Sequence, residues 1–331
     1  MSLLGLFDAA IRTRLTAIER WHNEGTNCYR LFHGLAEGFP GLSIDRMGPL
    51  LVLQTWQAPL EAGEMEALTN IASNILNLPL VPCWNHIAPP IDLNRWHQPT
   101  LPETCIGLEL QQRYTLTPRG RKNRPRLETA LRPARRWLSR HTQGESVLDL
   151  FTRGGSLGRA AASGGAANVW YIDRDPAALQ WGKACDSLDP HRRPIGRWLE
   201  SECMPVLRQL TGRDMELIDR RSIEYVQVKK RVFDVVILDP PQHSKGPFGS
   251  INLSQEPFHY LKLALECTRP GGRLLLIHRD PVLERKIWLE RILRLGQSMN
   301  LRLDFQVLHP EEDFPDPAHY PALKMVVLER D

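Results

Sequence analysis

The first twenty residues carry hydrophobic side chains at the spacing of one helical face. These positions are Leu3, Leu4, Phe7, Ile11, Leu15 and Ile18. They predict an amphipathic helix over residues 2–20 that packs on its own domain. Between residues 28 and 56 the pattern changes to short apolar runs separated by Pro-Gly and Gly-Pro turns, which predicts a small antiparallel sheet.

The chain then alternates between helical and extended patterns. Residues 60–76 return to helical spacing, whereas residues 79–102 place aromatic side chains among prolines and are expected to be irregular. One strand is predicted over residues 107–117 and a helix over residues 132–141. The elements that precede this helix predict a small α+β N-terminal domain over residues 1–125.

Three compact apolar runs dominate the second half of the chain. They cover residues 147–158, 169–175 and 232–241, and each ends in an acidic residue or a glycine turn. Buried parallel strands deliver functional groups to the carboxyl edge of a sheet in this way. Two closing strands are predicted at residues 301–308 and 323–328. The pattern predicts a doubly wound α/β domain over residues 126–331.

The first apolar run has the residues of a nucleoside-binding turn. Gly154 and Gly155 lack the Cβ atoms that would block a sharp turn and the close approach of a ligand. Asp173, at the end of the second run, is placed to accept both hydroxyls of a ribose, and Asp149 is placed to approach a positively charged amino-acid tail. A Gly-Gly turn after a strand is common in α/β proteins, so the glycines alone identify no ligand.

An Asp-Pro-Pro sequence ends the third run. Asp239 is followed by Pro240 and Pro241, which cannot continue a strand ladder and therefore fix a rigid exit from the strand. That exit can hold the Asp239 carboxylate and the Pro241 carbonyl against the amine of a flat base. A strand terminator with a solvated acid is the alternative that this stretch alone leaves open.

Residues 147–279 resemble the class I S-adenosylmethionine-dependent methyltransferases. The closer resemblance is to the family of bacterial large-subunit ribosomal RNA cytosine-C5 and guanine-N7 methyltransferases, and it extends to residues 29–48 and to His309-Pro310 and the Tyr-Pro-Ala-Leu-Lys sequence at 320–324. It implies a Rossmann-like seven-stranded methyltransferase sheet, S-adenosyl-L-methionine as the cofactor and ribosomal RNA as the partner. That family's separate N-terminal RNA-binding module has no counterpart ahead of residue 29.

The resemblance assigns cofactor contacts residue by residue. They fall on Asp149, Gly154, Gly155, Asp173, Glu202 and Asp239. Glu202 stands where the family has an aspartate near the adenine, and Asp219 competes for that role; we favour Glu202 and treat residues 211–230 as an insertion. The family also carries a Phe-Leu-Asp-x-Arg-type sequence that helps to cradle the cofactor. Arg132 matches its arginine, but Ala130 replaces the acid.

The absence of the family's cysteine limits which atoms of a base this chain is expected to methylate. Methylation of a cytosine ring carbon requires that a cysteine first add to the base. The family's cysteine follows the strand matching residues 273–277, where this chain has His278-Arg279-Asp280, so cytosine-C5 chemistry is disfavoured. Guanine N7, an exocyclic amine and a hydroxyl stay open. His243 stands where the family stacks an aromatic ring on the target base, with a surface or hydrogen-bonded loop histidine as the alternative.

Composition adds few limits. The chain has 331 residues, 42% of them hydrophobic, which is ordinary for a globular protein of two domains. No apolar run is long enough to cross a bilayer and no secretory pattern opens the chain, so a cytoplasmic protein is expected. The six cysteines include no C-x-x-C pair, so no metal site and no disulfide scaffold are expected.

The formal net charge of +4 is too small to identify a nucleic-acid binder by itself. Its distribution is more informative, because one short stretch is densely basic and has Glu128 as its only acid. The basic residues are Arg113, Arg119, Arg121, Lys122, Arg124, Arg126, Arg132, Arg135, Arg136 and Arg140. Such a strip would attract a phosphate backbone, although a solvated linker followed by one helix face explains it equally well.

The combined prediction is an S-adenosylmethionine-dependent methyltransferase that acts on RNA, with ribosomal RNA as the first candidate. The alternatives are a non-catalytic binding protein that retains the fold, or a methyltransferase of a protein or small molecule. A nicotinamide-dependent oxidoreductase is disfavoured because the Gly-x-Gly-x-x-Gly fingerprint is absent. Both a monomer and a homodimer stay open. Catalysis is assigned to Asp239 and His243, and substrate binding to Pro240, Pro241 and His278.

Overall fold

The computed structural model describes most of the chain. The described residues are 2–86, 95–97, 104–116, 127–189, 196–213, 226–246, 249–252, 258–280, 283–315 and 323–331. They form two compact units. The first comprises Met1–Arg132, Ser187–Pro190 and Pro310–Pro315, and the second comprises Pro133–Asp186, His191–His309 and Asp316–Asp331. The predicted boundary between residues 125 and 126 lies outside the described residues.

The first unit contains a five-stranded mixed sheet, two helices and a hairpin. The helices are α1 (Leu3–Asn23) and α2 (Ala62–Leu76). The sheet order is β1 (Cys28–Phe32), β2 (Leu42–Met47), β3 (Leu50–Thr55), β4 (Val81–His86) and β5 (Arg95–His97). β3 and β4 are parallel, with α2 between them in the chain, and the other neighbours are antiparallel. The hairpin consists of β6 (Cys105–Glu109) and β7 (Gln112–Leu116).

Hydrophobic spacing and a capping serine account for α1. The Ser2 hydroxyl accepts a hydrogen bond from the Gly5 N–H at 3.3 Å, and the helix begins one residue after Ser2. Its buried face includes Phe7 and Trp21, which pack in one core with side chains of the sheet. Leu15, which belongs to the predicted apolar stripe, is 40% exposed.

A buried arginine joins distant segments of the first unit. The Arg132 guanidinium lies 3.0 Å from Glu311, 3.1 Å from Asp313 and 3.4 Å from Glu109. It also donates to the Cys28 carbonyl oxygen at 2.8 Å. Residues 310–315 are thereby held in this unit despite their distance in sequence. Arg132 matches the family's cofactor-cradling arginine. In this structure its guanidinium N–H groups contact carboxylates of the first unit.

The second unit contains a seven-stranded sheet. Its order is β10 (Gly196–Glu200), β9 (Asn168–Asp173), β8 (Ser146–Leu150), β11 (Phe233–Leu238), β14 (Thr268–His278), β16 (Lys324–Arg330) and β15 (Leu303–Leu308). The first five strands are parallel, and β16 and β15 add an antiparallel pair. This confirms the predicted α/β class with its closing strand pair. The order reverses between β8 and β11, which is where ligands bind in such sheets.

Helices and one short hairpin complete the second unit. They are α3 (Arg132–His141, whose first residue belongs to the first unit), α4 (Ser156–Ser163), α5 (Pro176–Asp186), α6 (Cys203–Leu210), the hairpin β12 (His243–Gly246) and β13 (Gly249–Asn252), α7 (Phe258–Cys267) and α8 (Arg285–Ser298). Leu148, Trp170, Val236 and Leu274 lie in register on adjacent strands and share one core with α6, α7 and α8. The alternate positions, including Asp149, belong to the opposite face of the sheet.

Several expectations for local structure were wrong. The stretch 79–102 was expected to be irregular, but its described residues form the strands β4 and β5. The single strand expected at 107–117 is a hairpin, because Leu110 and Gln111 form its turn with φ of 49° and 64°. Neither residue type signals a left-handed turn. The hairpin β12–β13 was not predicted, and residues 214–225 of the expected insertion lie outside the described residues.

Candidate functional site

The loop after β8 has an unusual backbone. Phe151, Arg153 and Gly155 all have positive φ, at 56°, 52° and 71°. Two non-glycine residues in this region need support from their surroundings. The Phe151 N–H donates to the Cys203 sulfur at 3.2 Å, and the Arg153 N–H donates to the Asp173 carboxylate at 2.6 Å. The loop is therefore fixed to the carboxyl end of β9 and to the first residue of α6.

Asp149 lies beneath this loop and is 1% exposed. Its Oδ2 accepts hydrogen bonds from the Gly158 N–H at 3.0 Å and from the Thr152 hydroxyl. Its Oδ1 is buried and has no hydrogen-bond partner among the described residues. Burial raises the pKa of Asp149 to about 7. A buried acceptor atom without a partner is costly, and a hydrogen-bonding or cationic ligand group would satisfy it.

Asp173 ends β9 at the same edge of the sheet. Its Oδ2 accepts the Arg153 N–H and its Oδ1 accepts the Asp175 N–H at 2.9 Å. Burial raises the pKa of this carboxyl group, although the backbone donors act in the opposite direction. Each carboxylate oxygen has a second acceptor site, so Asp173 keeps the capacity to bind hydroxyl groups.

The glycines of the turn have a packing role that the sequence interpretation missed. Tyr171 and Trp198 stack with ring centroids 3.8 Å apart. A Cβ on Gly155 would lie 2.6 Å from Trp198, and one on Gly158 would lie 2.4 Å from Tyr171. A residue larger than glycine does not fit at position 155, because the Trp198 ring occupies the space beside it. Gly154 and Gly155 as cofactor contacts stay predictions.

Glu202 sits at the N-terminus of α6, at the residue before its first turn. Arg174, which follows Asp173 directly, donates to Glu202 at 3.1 Å. Glu202 therefore lies at the same edge as Asp173, as its predicted role near the adenine requires. Asp219, the competing residue, lies outside the described residues.

Asp239 has a charged partner that the sequence interpretation did not assign. Arg279, at the end of β14, donates to both carboxylate oxygens, with Nη2 at 3.1 Å from Oδ2. Arg153 Nη2 lies 3.9 Å from the same Oδ2. Asp239 is 3% exposed. The alternative of a solvated acid is wrong, because Asp239 is buried and paired with Arg279. The assignments of Asp239 to catalysis, to the cofactor and to an amine of the base stay predictions.

The two candidate histidines lie in different environments. His243 is exposed at the start of β12, beyond Pro240 and Pro241. His278 is 3% exposed, stacks on Trp288 at 5.5 Å, and its Nε2 has no hydrogen-bond partner in the described structure. Burial lowers the pKa of His278 to about 4, so its ring is neutral at pH 7. Its assignment as a pocket wall stays a prediction.

Two cysteines near the sheet, Cys203 and Cys267, are buried thiols. Cys267 lies where α7 meets β14, at the opposite end of that strand from His278, and burial raises its pKa to about 12. Burial also raises the pKa of Cys203 well above its ordinary value. Thiolates, not thiols, are nucleophilic. Burial therefore disfavours the thiolate form of these two cysteines, and a mechanism without a covalent intermediate stays a prediction.

The basic stretch is not one exposed strip. Arg132 and Arg135 are fully buried, whereas Arg113 and Arg140 are exposed. The most densely charged part of the basic stretch, residues 117–126, lies outside the described residues. Within the described ranges, no group of three or more His, Cys, Asp or Glu side chains is arranged to hold a metal ion. No helix in the same ranges has the length and hydropathy needed to cross a membrane.

Comparison with known proteins identifies relatives of this chain. A family model described as S-adenosylmethionine-dependent methyltransferase matches residues 30–329. The ribosomal RNA large subunit methyltransferase K/L of Pseudoalteromonas atlantica is 24% identical over 281 residues, which cover 81% of this chain but only 37% of that relative. The ribosomal RNA large subunit methyltransferase I of Shewanella denitrificans is 24% identical over 317 residues, which cover 90% of this chain and 72% of the relative.

Solved structures show the same fold. The crystal structure of SMU.776 complexed with SAH aligns with a TM-score of 0.78 at 17% identity, covering 99% of this chain and 82% of that chain. A SAM-dependent methyltransferase from Agrobacterium tumefaciens aligns with a TM-score of 0.62 at 16% identity, covering 92% of this chain and 91% of that one. The similarity at these identities concerns the fold, whose strand order is the one described above.

Proposed function

The chain belongs to the S-adenosylmethionine-dependent methyltransferase family, and on that premise we propose that it transfers a methyl group to a base of ribosomal RNA. The observation that carries the proposal is the buried Asp149 oxygen without a described partner, located at the switch point of the sheet. The relatives named above are ribosomal RNA methyltransferases by name. The chain spans about a third of the first of them, so its substrate is part of the proposal.

Four groups of the second unit would hold the cofactor. Asp149 Oδ1 offers a buried acceptor to a cationic amino-acid tail, and Asp173 offers acceptor sites for ribose hydroxyls. The turn at Gly154 and Gly155 leads into the N-terminus of α4. Glu202 follows β10, directly before α6, and is the residue that we propose to lie near the adenine. When bound, the cofactor supplies an electrophilic methyl group on a sulfonium centre.

The protein's own contribution is mainly positioning. The loop after β8 is held by Cys203 and Asp173, and the exit from β11 is stiffened by Pro240 and Pro241. Rigid placement of the acceptor behind the methyl group supplies much of the catalysis in such a displacement. The proposal does not include a cysteine-dependent C5 mechanism, because His278-Arg279-Asp280 stands where the family has its cysteine and burial raises the pKa of Cys203 and Cys267. His243, exposed beyond the prolines, is the proposed group that stacks on the target base.

The proposed RNA substrate also determines the partner and the cellular location that we propose. Arg140 is exposed and could contact a phosphate group, and ribosomal RNA as the substrate implies a cytoplasmic site of action. The alternatives are a fold-retaining binding protein and a methyltransferase of a protein or small molecule. Replacement of the family's acid by Ala130 favours the first of these.

Nucleoside mass spectrometry of ribosomal RNA from a deletion strain tests the proposal. We expect one methylated nucleoside to be lost, to return with the wild-type gene, and to stay absent with an Asp239→Ala copy. A fold-retaining binding protein would leave the modification pattern unchanged. Calorimetry with S-adenosylmethionine separates the remaining cases, because a protein or small-molecule methyltransferase would bind the cofactor while the RNA stayed unaltered.

A further inference from the structure

The carboxylate of the Asp-Pro-Pro sequence is engaged by charged donors. Arg279 contacts both Asp239 oxygens, and the two side chains are 19% and 4% exposed. Arg153 approaches the same carboxylate at 3.9 Å. Hydrogen bonds from a guanidinium are stronger than those from a neutral amino group. A base that presented only an amine would have to share the Asp239 oxygens with Arg279 or displace the guanidinium, and displacement would leave a buried charge poorly paired.

Three neighbouring elements fix the end of β14 that carries Arg279. Gln242, after the two prolines, donates to the Arg279 carbonyl oxygen. Lys324 Nζ donates to the carbonyl oxygen of Asp280. On the other side, His278 stacks on Trp288 of α8. These contacts fix the strand end, and the two hydrogen bonds to Asp239 orient the guanidinium. A defined orientation is what precise recognition of a flat acceptor needs.

The same two strands carry a second arginine–aspartate pair at their opposite ends. Arg269 donates to Asp234, which also accepts from the Ser146 N–H at 2.8 Å and from its hydroxyl at 2.6 Å. This pair joins β8, β11 and β14 at the amino edge, remote from the candidate site. Its role is structural, so it provides a control with the same chemistry on the same strands.

We propose that Arg279 selects the acceptor group: its guanidinium contacts a base edge that accepts hydrogen bonds, and Asp239 positions Arg279 instead of binding a target amine. The inference rests on the proposed function and specifies its acceptor class. A planar fork of N–H donors matches adjacent carbonyl and ring-nitrogen acceptors. An exocyclic amino group presents donors to this edge and is disfavoured.

Variants of the full-length chain test the role of Arg279. The substrate is ribosomal RNA from the deletion strain, and the control is Arg269→Met. We expect Arg279→Met to lower kcat/KM for this RNA by about 10- to 100-fold, the range for one lost bidentate base contact. RNA affinity, measured with S-adenosylhomocysteine bound, should weaken in parallel, while S-adenosylhomocysteine affinity is unchanged. Arg279→Lys should recover part of the loss, and Arg269→Met should lower Tm without changing kcat/KM.

A double-variant cycle separates positioning from direct contact. If Asp239 acts through Arg279, Asp239→Asn lowers kcat/KM in the wild-type background and adds nothing in the Arg279→Met background. An equal loss in both backgrounds would overturn the inference, as would full kcat/KM in Arg279→Met. A drop in Tm of Arg279→Met like that of Arg269→Met, with kcat/KM and RNA affinity unchanged, would reduce Arg279 to a structural residue.

The product provides an independent outcome. RNA incubated with isotopically labelled S-adenosylmethionine is digested to nucleosides, and the labelled position is identified by mass spectrometry. Label at a position other than an exocyclic amine supports the inference. Label on an exocyclic amine overturns it while supporting the proposed function. No label in RNA despite cofactor binding removes the RNA proposal and this inference together.

Discussion

Burial of Asp149 lowers the stability of the folded chain at neutral pH and provides a buried acceptor for a ligand. Burial holds its folded pKa near 7, above the ordinary 3.8. The folded chain therefore binds a proton more tightly than the unfolded chain between these values, and stability falls as the pH rises from about 4 to about 7. We expect Asp149→Asn to remove this decline and to be more stable at pH 8 by about 1–3 kcal/mol. Denaturant unfolding at pH 5 and pH 8 measures it.

Asp234 is the control for that experiment, because its pKa is lowered whereas that of Asp149 is raised. Ser146 and Arg269 hold its pKa at about 2, below the ordinary value, against the cost of burial. Its stabilising effect is present above the unfolded pKa and is lost as the pH falls, so Asp234→Asn should destabilise the chain at pH 8. If Asp149→Asn behaved like Asp234→Asn, the raised pKa of Asp149 would be refuted.

Asp149 also makes cofactor binding depend on pH. A cationic tail pairs with the carboxylate and not with the carboxylic acid, so affinity for S-adenosylmethionine should rise between pH 6 and pH 7 in the wild type, below the pH at which an α-amino group loses its charge. In Asp149→Asn the affinity should be weaker and nearly flat over this range. Isothermal titration calorimetry at several pH values gives both curves. A wild-type affinity independent of pH would separate Asp149 from the cofactor.

Gly155 is constrained by its backbone and by its neighbour at once. It has φ of 71°, and a Cβ there would lie 2.6 Å from Trp198. We expect Gly155→Ala to destabilise the chain by about 2–4 kcal/mol, from backbone strain plus overpacking. Gly144→Ala is the matched control, because Gly144 has φ of 76° with nothing within 4 Å of its Cβ, and should cost only about 1–2 kcal/mol.

The packing part of that cost depends on the indole. In a Trp198→Ala background, the penalty of Gly155→Ala should fall towards that of Gly144→Ala, because the 2.6 Å approach to the indole is removed and only the backbone strain and a 3.1 Å approach to Tyr171 are left. Chemical denaturation of the single and double variants measures this difference. A penalty unchanged by removal of Trp198 would show that the turn itself, and not the aromatic pair, requires glycine.

At the scale of elements, periodicity predicted well where one face of an element is buried. The strands predicted in the runs 147–158, 169–175 and 232–241 and the closing pair agree with β8, β9, β11, β15 and β16, because their apolar residues belong to one core. The helix over 132–141 also agrees with the structure, although its sequence is largely basic. The hairpin β6–β7 was missed because Leu110 and Gln111 carry no left-handed turn signal. The Asp239–Arg279 pair was missed because pairing across forty residues of sequence leaves no local pattern.

Residues 310–315 form the element whose attachment is easiest to test. Arg132 and the carboxylates Glu311 and Asp313 hold it in the first unit, and Arg132 is fully buried. We expect Arg132→Met to destabilise the chain by about 3–5 kcal/mol, because buried carboxylates lose their counter-charge. Arg20→Met breaks the exposed pair with Glu312 in the same segment and should cost at most about 1 kcal/mol. Equal losses in urea unfolding would contradict the role of burial.

At the scale of the whole molecule, the first unit is discontinuous in sequence. A division at residue 125 separates Glu109 from Arg132, and it separates Trp21 and Arg30 from the segment at 310–315. Sequence patterning cannot reveal this return of the chain, because residues 310–315 make ion pairs and hydrogen bonds instead of adding a hydrophobic run.

A fragment of residues 1–125 should therefore fail to fold cooperatively. It would bury Glu109 without the guanidinium that faces it, and it would leave the Trp21 indole N–H and the Arg30 backbone N–H without their carboxylate acceptors. The control is residues 1–132 joined through a flexible Gly-Ser linker to residues 309–316, which restores these partners. Circular dichroism during heating should show a sharp transition for the control and a broad one for the fragment. A cooperative transition of the 1–125 fragment, at the temperature of the control, would mean that the buried charge cluster is dispensable to the first unit.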